Sequence, residues 1–333
     1  MTETSIVAAS APSNIALIKY MGKLEGGGNR PTNSSISWTL DHLKTFVKVT
    51  PIDSGLAGVE SKGVDEWKAL EGNDLSEIRL SEKSKQKFLS HFAMLKSEFN
   101  LNGSFVLESA NNFPSDCGLA SSASSFAALT RAAHDLALQM GTIKEPLRFD
   151  ELAALSRKGS GSSARSFFSP WALWSSEGIR PLDFDLGQLH HQVFVVESGK
   201  KAVSSSEAHQ RVLTSELFVG RSERAEKRLA SLIAAFRSHD WTAAYEICWA
   251  EFWDMHALFE TSKPAFGYME PKTLEVLKAL RKVWLETGDG PIITMDAGAN
   301  VHALYRDNQK ALALKIRDQL KAQALVLMSA DLK

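Results

Sequence analysis

Pro114-Ser115-Asp116-Cys117-Gly118-Leu119-Ala120-Ser121-Ser122-Ala123 stands directly ahead of the most regular stretch of the chain. Behind it Leu119, Ser122, Phe126, Leu129, Ala133, Leu136 and Met140 recur at spacings of three and four, with small residues between them. That period predicts a buried helix of about six turns. Small residues at a helix start let the backbone approach an anion, the free N–H groups of the first turn point at it, and the positive end of the helix dipole favours it. The stretch therefore reads as a nucleotide-phosphate site, or more plainly as a tight turn at Gly118 followed by capping and packing serines. No GxxxxGK[ST] loop and no GxGxxG after a strand occurs, so the two commonest nucleotide folds have no support.

Working outward, residues 5–10, 15–20, 36–40 and 45–51 combine β-branched or aromatic residues with polar breaks and predict an early β-rich layer. Gly26, Gly27 and Gly28 read as a loop. Helices are expected over 149–157, ended by Gly159, and over 221–237. Beyond them, strands are expected at 192–197, 292–295 and 301–305, and helices at 272–286 and 309–322. This order fits a separate α+β half better than a doubly wound parallel sheet, with a division near residue 186.

The 333 residues are 44% hydrophobic, enough for a sizeable core, and 38 Lys plus Arg against 39 Asp plus Glu leave a net charge of -1. Such a balance argues against nucleic acid or an anionic membrane as the main partner, so phosphate chemistry must use local clusters. Cys117 and Cys248 are too far apart for a CxxC pair, which speaks against a zinc knuckle or disulfide scaffold and fits a reducing cytoplasm. The N-terminus has an acid at Glu3, no positive side chain before Lys19 and no long apolar stretch; the expectation is a soluble, unexported protein.

Three further stretches carry chemistry. In residues 11–23, APSNIALIKYMGK, a strand over 15–20 would put Lys19 on the face of Ile15 and Leu17, and Asn14 and Tyr20 on the other. The plain reading of Lys19 and Lys23 is solvated strand-end lysines. In residues 156–165, SRKGSGSSAR, Arg165 follows a Ser-rich turn, where a guanidinium fork suits a carboxylate or phosphate; the plain reading is a capping loop. In residues 294–301, TMDAGANV, Asp296 ends an apolar strand beside a Gly turn, which by itself is turn chemistry.

In the same order along the chain, these stretches resemble the motifs of the diphosphomevalonate decarboxylases of the GHMP kinase superfamily. The family text reads APxNIAxIKYWGK, LPTNSSIS, NNFPTAAGLASSA, RxGSGSxxRS and DAGPN. Here it stands at residues 11–23, 30–37, 111–123, 157–166 and 296–300, and KKAVSSS at 200–206 resembles the family's KKxVSS loop. The resemblance covers nearly the whole chain. It implies an α+β GHMP kinase fold: an N-terminal, ribosomal protein S5 domain 2-like, ATP-binding domain over 1–186 and a C-terminal domain over 187–333, with the active site in the cleft between them.

The resemblance also implies ATP- and Mg²⁺-dependent decarboxylation of mevalonate 5-diphosphate to isopentenyl diphosphate. Asp296 would accept or orient the hydroxyl proton, Lys19 would pair with it, and Arg165, fixed by Asn14, would hold the substrate carboxylate. Tyr20, Lys23, Ser162 and Ser205 would bind the substrate. Asn112, Pro114, Gly118, Leu119, Ala120, Ser121 and Ser122 would meet ATP, with Ser121 and Ser122 also toward its Mg²⁺. A cytoplasmic homodimer is implied too. Met21 stands where the family has Trp, Ala299 where it has Pro, and Glu207-Ala208-His209 where it has Gly-Met. Asp116 puts an acid in the phosphate loop, repulsive to triphosphate unless it faces water or a metal ion. Cys117 beside it reads as a small packed residue or a reactive thiol.

Other readings within the superfamily are a monophosphate decarboxylase and a mevalonate 3-kinase, and outside enzymes a GHMP-fold regulator. Retention of Lys19, Arg165 and Asp296 together speaks against the pure kinase, and retention of Asp296 and the Gly118 loop against the regulator. Tyr20, Lys23 and residues 204–206 favour the diphosphate.

Overall fold

The computed structural model describes residues 6–52, 64–78, 80–114, 121–196 and 202–332. The chain opens with β1 (Val7–Ile18) and β2 (Ser35–Pro51), paired antiparallel. The sequence predicted two short strands in each of these places. Pro12 has no N–H for the ladder, and there β2 places residues 41–43 as an excursion between the partners Lys44 and Leu40, so the break is absorbed as a bulge and both strands continue. A second register shift lies between Ala16 and Ile18.

Next come β3 (Glu66–Ala69), β4 (Ser76–Glu77), α1 (Glu82–Phe99), β5 (Phe105–Asn111), α2 (Ser121–Gln139), α3 (Phe149–Gly159), β6 (Trp171–Ser175) and β7 (Gly178–Leu182). β2 is the spine of this sheet. One edge meets β1, and the other meets β5 along Thr45–Pro51 and β6 along Ser35–Trp38. The expected helix behind Gly118 is α2; among the described residues it runs 19 residues, and its alanine-rich face, Ala127, Ala128, Ala132 and Ala133, is fully buried. Small side chains there let α2 lie close to Val47, Val49 and Leu107 of the sheet, with Phe88 and Phe92 of α1 and Leu152 of α3 completing the core.

The second sheet has order β11-β8-β10-β9 and is antiparallel, from β8 (Leu189–Val195), β9 (Ile292–Met295), β10 (Val301–Arg306) and β11 (Leu325–Met328). Around it lie α4 (Ser205–Arg211), α5 (Arg221–Arg237), α6 (Trp241–Glu260), α7 (Pro271–Thr287) and α8 (Lys310–Leu320). The architecture is α+β, as the sequence indicated. Leu17, Ile18, Ile36 and Trp171 of the first sheet share one continuous core with Leu232, Phe236, Phe252, Met295 and Val301 of the second half. Among the described residues, no helix is long and apolar enough to cross a membrane.

Candidate active site

β1 ends at Ile18, so Lys19 does not alternate with Ile15 and Leu17 as the sequence predicted. The register shift beside Leu17 releases it from the strand, and its side chain turns into a cleft between the two halves. There Lys19 Nζ donates to Asp296 Oδ1 at 2.8 Å, the acid being the first residue past β9. The lysine backbone is fixed separately: its N–H donates to Glu251 Oε1 at 2.9 Å, and its carbonyl accepts from Asn33 Nδ2 at 3.0 Å. Burial lowers the Lys19 pKa, and the charge of Asp296 offsets only part of that. For Asp296, burial works upward but is outweighed by Lys19, His302 and Arg165, so its pKa lies below the ordinary aspartate value and it is ionised at neutral pH.

Arg165 lies in a short 3₁₀ helix, Gly161–Phe167, directly behind α3. Its Nε donates to Asn14 Oδ1 at 3.2 Å and its Nη1 to Ser35 Oγ at 3.0 Å, and the guanidinium stands 5.8 Å from the Trp174 ring centre. Asn14 is oriented in turn by donating to Ser166 Oγ at 2.8 Å. Arg165 is only 3% exposed, yet it has no carboxylate partner among the described residues, and burial pushes its pKa down to about 10. A buried cation held by neutral groups is prepared for an anion from outside. Gly161 is required beside it, because a Cβ there would come within 2.6 Å of the Tyr20 ring.

Tyr20, Lys23, Ser162 and Ser205 also line this cleft, together with Lys87, Ser122 and His209. The Tyr20 ring packs 4.7 Å from Trp174 and 4.4 Å from His209, its hydroxyl donates to Asn29 O at 3.1 Å, and burial raises its pKa, leaving a neutral phenol. Burial lowers Lys23, with Lys87 adding to the effect, and burial lowers Lys87, with Lys83 adding. Lys19, Lys23, Lys87 and Arg165 thus face one acid, Asp296, among the described lining residues. The field favours a polyanion.

Lys87 and His209 escaped the sequence reading. Lys87 belongs to an alternating run, Lys83, Lys85 and Lys87, that looks like a solvated face until α1 is seen to bring its last member to the cleft. His209 sits one turn into α4, whose N-cap, Ser204, accepts from the Glu207 N–H at 3.3 Å.

Ser121 opens α2, and Ser122 accepts a hydrogen bond from Ser160 Oγ at 3.4 Å, so the N-terminal end of that helix borders the cleft. Asn112 does not line it; its side chain joins His42 O (3.0 Å) to Lys44 N (2.7 Å). Pro114 is absent from the lining as well. Asp116, Cys117, Gly118, Leu119, Ala120 and residues 200–201 lie outside the described residues. No group of three His, Cys, Asp or Glu side chains suited to a metal occurs among the described residues. The hydroxyls at the start of α2 fit an ion that arrives on a nucleotide's phosphates. Met21 is buried against Val203, Leu258, Phe259 and Tyr268, and the Ala299 carbonyl accepts from Thr273 Oγ1 at 2.8 Å, so both departures from the family text have packed environments.

Comparison with known proteins gives a consistent result. Residues 11–180 match the model of the diphosphomevalonate decarboxylase-like N-terminal domain, and residues 192–324 match the mevalonate 5-diphosphate decarboxylase C-terminal domain. A diphosphomevalonate decarboxylase of Debaryomyces hansenii is 30% identical over 93% of this chain and 81% of its own. The crystal structure of a mevalonate diphosphate decarboxylase from Legionella pneumophila is 45% identical, with a TM-score of 0.88 over 97% of this chain and 100% of its own. The structure of MDDEF in complex with MVAPP, AMPPCP and magnesium is 27% identical, with a TM-score of 0.82 over 98% of this chain and 99% of its own.

Proposed function

Because the chain belongs to the diphosphomevalonate decarboxylase family, we propose that the cleft between its two halves is where mevalonate 5-diphosphate is phosphorylated and decarboxylated. The enzyme converts mevalonate 5-diphosphate and ATP to isopentenyl diphosphate, ADP, phosphate and carbon dioxide. What supports the placement is the pairing of Lys19 with Asp296 at 2.8 Å beside a buried arginine that has no acidic partner among the described residues.

Asp296 accepts the proton of the tertiary hydroxyl as phosphoryl transfer turns that oxygen into a leaving group. Lys19 keeps the carboxylate ionised and offsets charge at the accepting oxygen. Arg165, aimed by Asn14, holds the substrate carboxylate and sets the scissile C–C bond anti to the departing phosphate. Carbon dioxide loss discharges that carboxylate, so a tight Arg165 contact alone favours the ground state. Binding energy must come from the remote diphosphate, and Tyr20, Lys23, Lys87, Ser162 and Ser205 surround the space for it. Mg²⁺, when bound, would supply charge neutralisation on the ATP phosphates, and Ser121 and Ser122 at the α2 start would hold them; a related structure binds AMPPCP and magnesium, which supports ATP and Mg²⁺ as the cofactors. A division of the chain near residue 186, a homodimer and a cytoplasmic location belong to the same proposal, resting on the resemblance.

Turnover with mevalonate 5-phosphate and 5-diphosphate, scoring ADP and carbon dioxide separately, tests this reading. Equal release of both products from the diphosphate is expected. ADP without carbon dioxide would make the protein a kinase instead.

A further inference from the structure

Gly22 has φ of +99°, a left-handed conformation, and a Cβ there would meet Phe218 and Thr32 at 2.8 Å. This turn, immediately before Lys23, aims the Gly22 N–H at His209, which accepts it on Nδ1 at 3.1 Å. A ring nitrogen that accepts a backbone N–H carries no proton of its own. The neutral imidazole then has its single hydrogen on Nε2. Nε2 has no partner among the described residues, and His209 lines the cleft beside Tyr20, Lys23, Lys87 and Ser205.

We propose that His209 is a substrate-binding residue of this enzyme, a neutral imidazole whose Nε2–H donates to a non-bridging oxygen of the substrate's diphosphate. The proposal rests on the reading that the cleft takes mevalonate 5-diphosphate, and it adds a donor where the family text has Gly-Met. Its electrostatic setting agrees with the tautomer. Burial, together with Lys23, Arg165 and Lys87, lowers the His209 pKa to about 3, so it stays uncharged and its donor is fixed at working pH. The same ring clamps the Gly22 turn through Nδ1, which ties the grip on the ligand to the placement of Lys23.

Two variants separate the two edges of the ring. In His209→Asn the amide oxygen stands where Nδ1 was and can still accept from Gly22, but nothing reaches the Nε2 position. In His209→Gln the amide N–H reaches that position and the Gly22 contact is given up. We expect His209→Asn to raise KM for mevalonate 5-diphosphate and Kd for inorganic pyrophosphate about ten- to a hundredfold, as for one hydrogen bond to a charged group, with the loss confined to KM. His209→Gln should recover most of that loss. The opposite order, with His209→Asn binding like the wild type and His209→Gln defective, would make the ring a turn clamp only and overturn the proposal. Equal defects in both variants would overturn it too. Pyrophosphate binding is measured without turnover: if the wild type bound it in a His209-dependent way yet left mevalonate 5-diphosphate unreacted, the functional reading would fail and the assignment of His209 would stand.

Discussion

The N–H of Lys19 donates to Oε1 of Glu251 across 232 residues of sequence, and Glu251 is completely shielded from solvent. That carboxylate is also bound by Arg221, itself fully buried, and by Arg228 Nη1 at 2.9 Å. The backbone of the cleft lysine is therefore set by an ion-pair network in the far half of the chain. Glu251→Gln removes the nearer charge and leaves buried Arg221 with Asp254 alone, 3.6 Å away. Loss of one member of a buried pair costs about 3–5 kcal/mol, so a large fall in melting temperature is expected together with loss of turnover. Calorimetry decides it; an unchanged melting temperature would mean that Arg221 is neutralised some other way.

Asp296→Asn keeps the shape and loses both the negative charge and the ability to take a proton. With the fold and pyrophosphate binding retained, kcat should fall by about 10²–10⁴, the usual worth of a positioned general base. Wild-type turnover in this variant would remove Asp296 from the mechanism.

Lys23→Ala and Lys87→Ala test the cationic end of the cleft. The diphosphate does not change charge during the reaction, so its contacts act equally on ground and transition states. KM for mevalonate 5-diphosphate should rise about tenfold or more in each, while kcat changes little. A fall in kcat at constant KM would move the residue concerned to the reacting centre.

Acid should weaken the folded protein well before its carboxylates titrate. His91, His209 and His302 are lowered by burial to about 3, and His191, between His42 (3.1 Å) and His302 (3.0 Å), is lowered as well. Between pH 6.5 and about 3 the unfolded chain binds protons at His91, His209 and His302 and the folded one does not, and His191 acts in the same direction, so their contribution is complete above the unfolded value and declines as pH falls. Each of the first three contributes a slope of about 1.4 kcal/mol per pH unit in that window. Melting temperatures should drop steadily from pH 7 to pH 5, and His91→Phe, which removes one titrating ring, should flatten the curve.

How much of this was legible in the sequence depended on whether the signal was local. α2 announced itself because its apolar residues keep a helical period, and the cleft stretches stood out because each joins small residues to a charged one at an element's end. α6 carried no such signal: from Trp241 to Glu260 apolar residues occur all round the helix, so no single stripe marks it, and Glu251 inside it acquires meaning only through Arg221 and Lys19 from elsewhere. β1 and β2 were split in sequence because Pro12 and the residues opposite it look like breaks; a bulge is visible only once two strands are paired. A strand over 15–20 takes in Lys19, whereas β1 ends at Ile18, beside the second register shift. Lys87 and His209 needed tertiary placement, since neither an alternating lysine run nor one helical histidine differs locally from ordinary surface.

The core that runs without interruption from Leu17 and Trp171 to Phe252 and Val301 has a mechanical consequence. Separating the halves would bring side chains such as Ile18, Ile36 and Met295, none of them accessible in the folded chain, into water, at about 1.5–3 kcal/mol apiece. Neither half can melt while the other stays intact, and heating should give one transition whose calorimetric and van't Hoff enthalpies agree. The walls of the cleft therefore hold their spacing by the same cohesion that keeps the protein folded, and substitutions in either half register on a single melting curve.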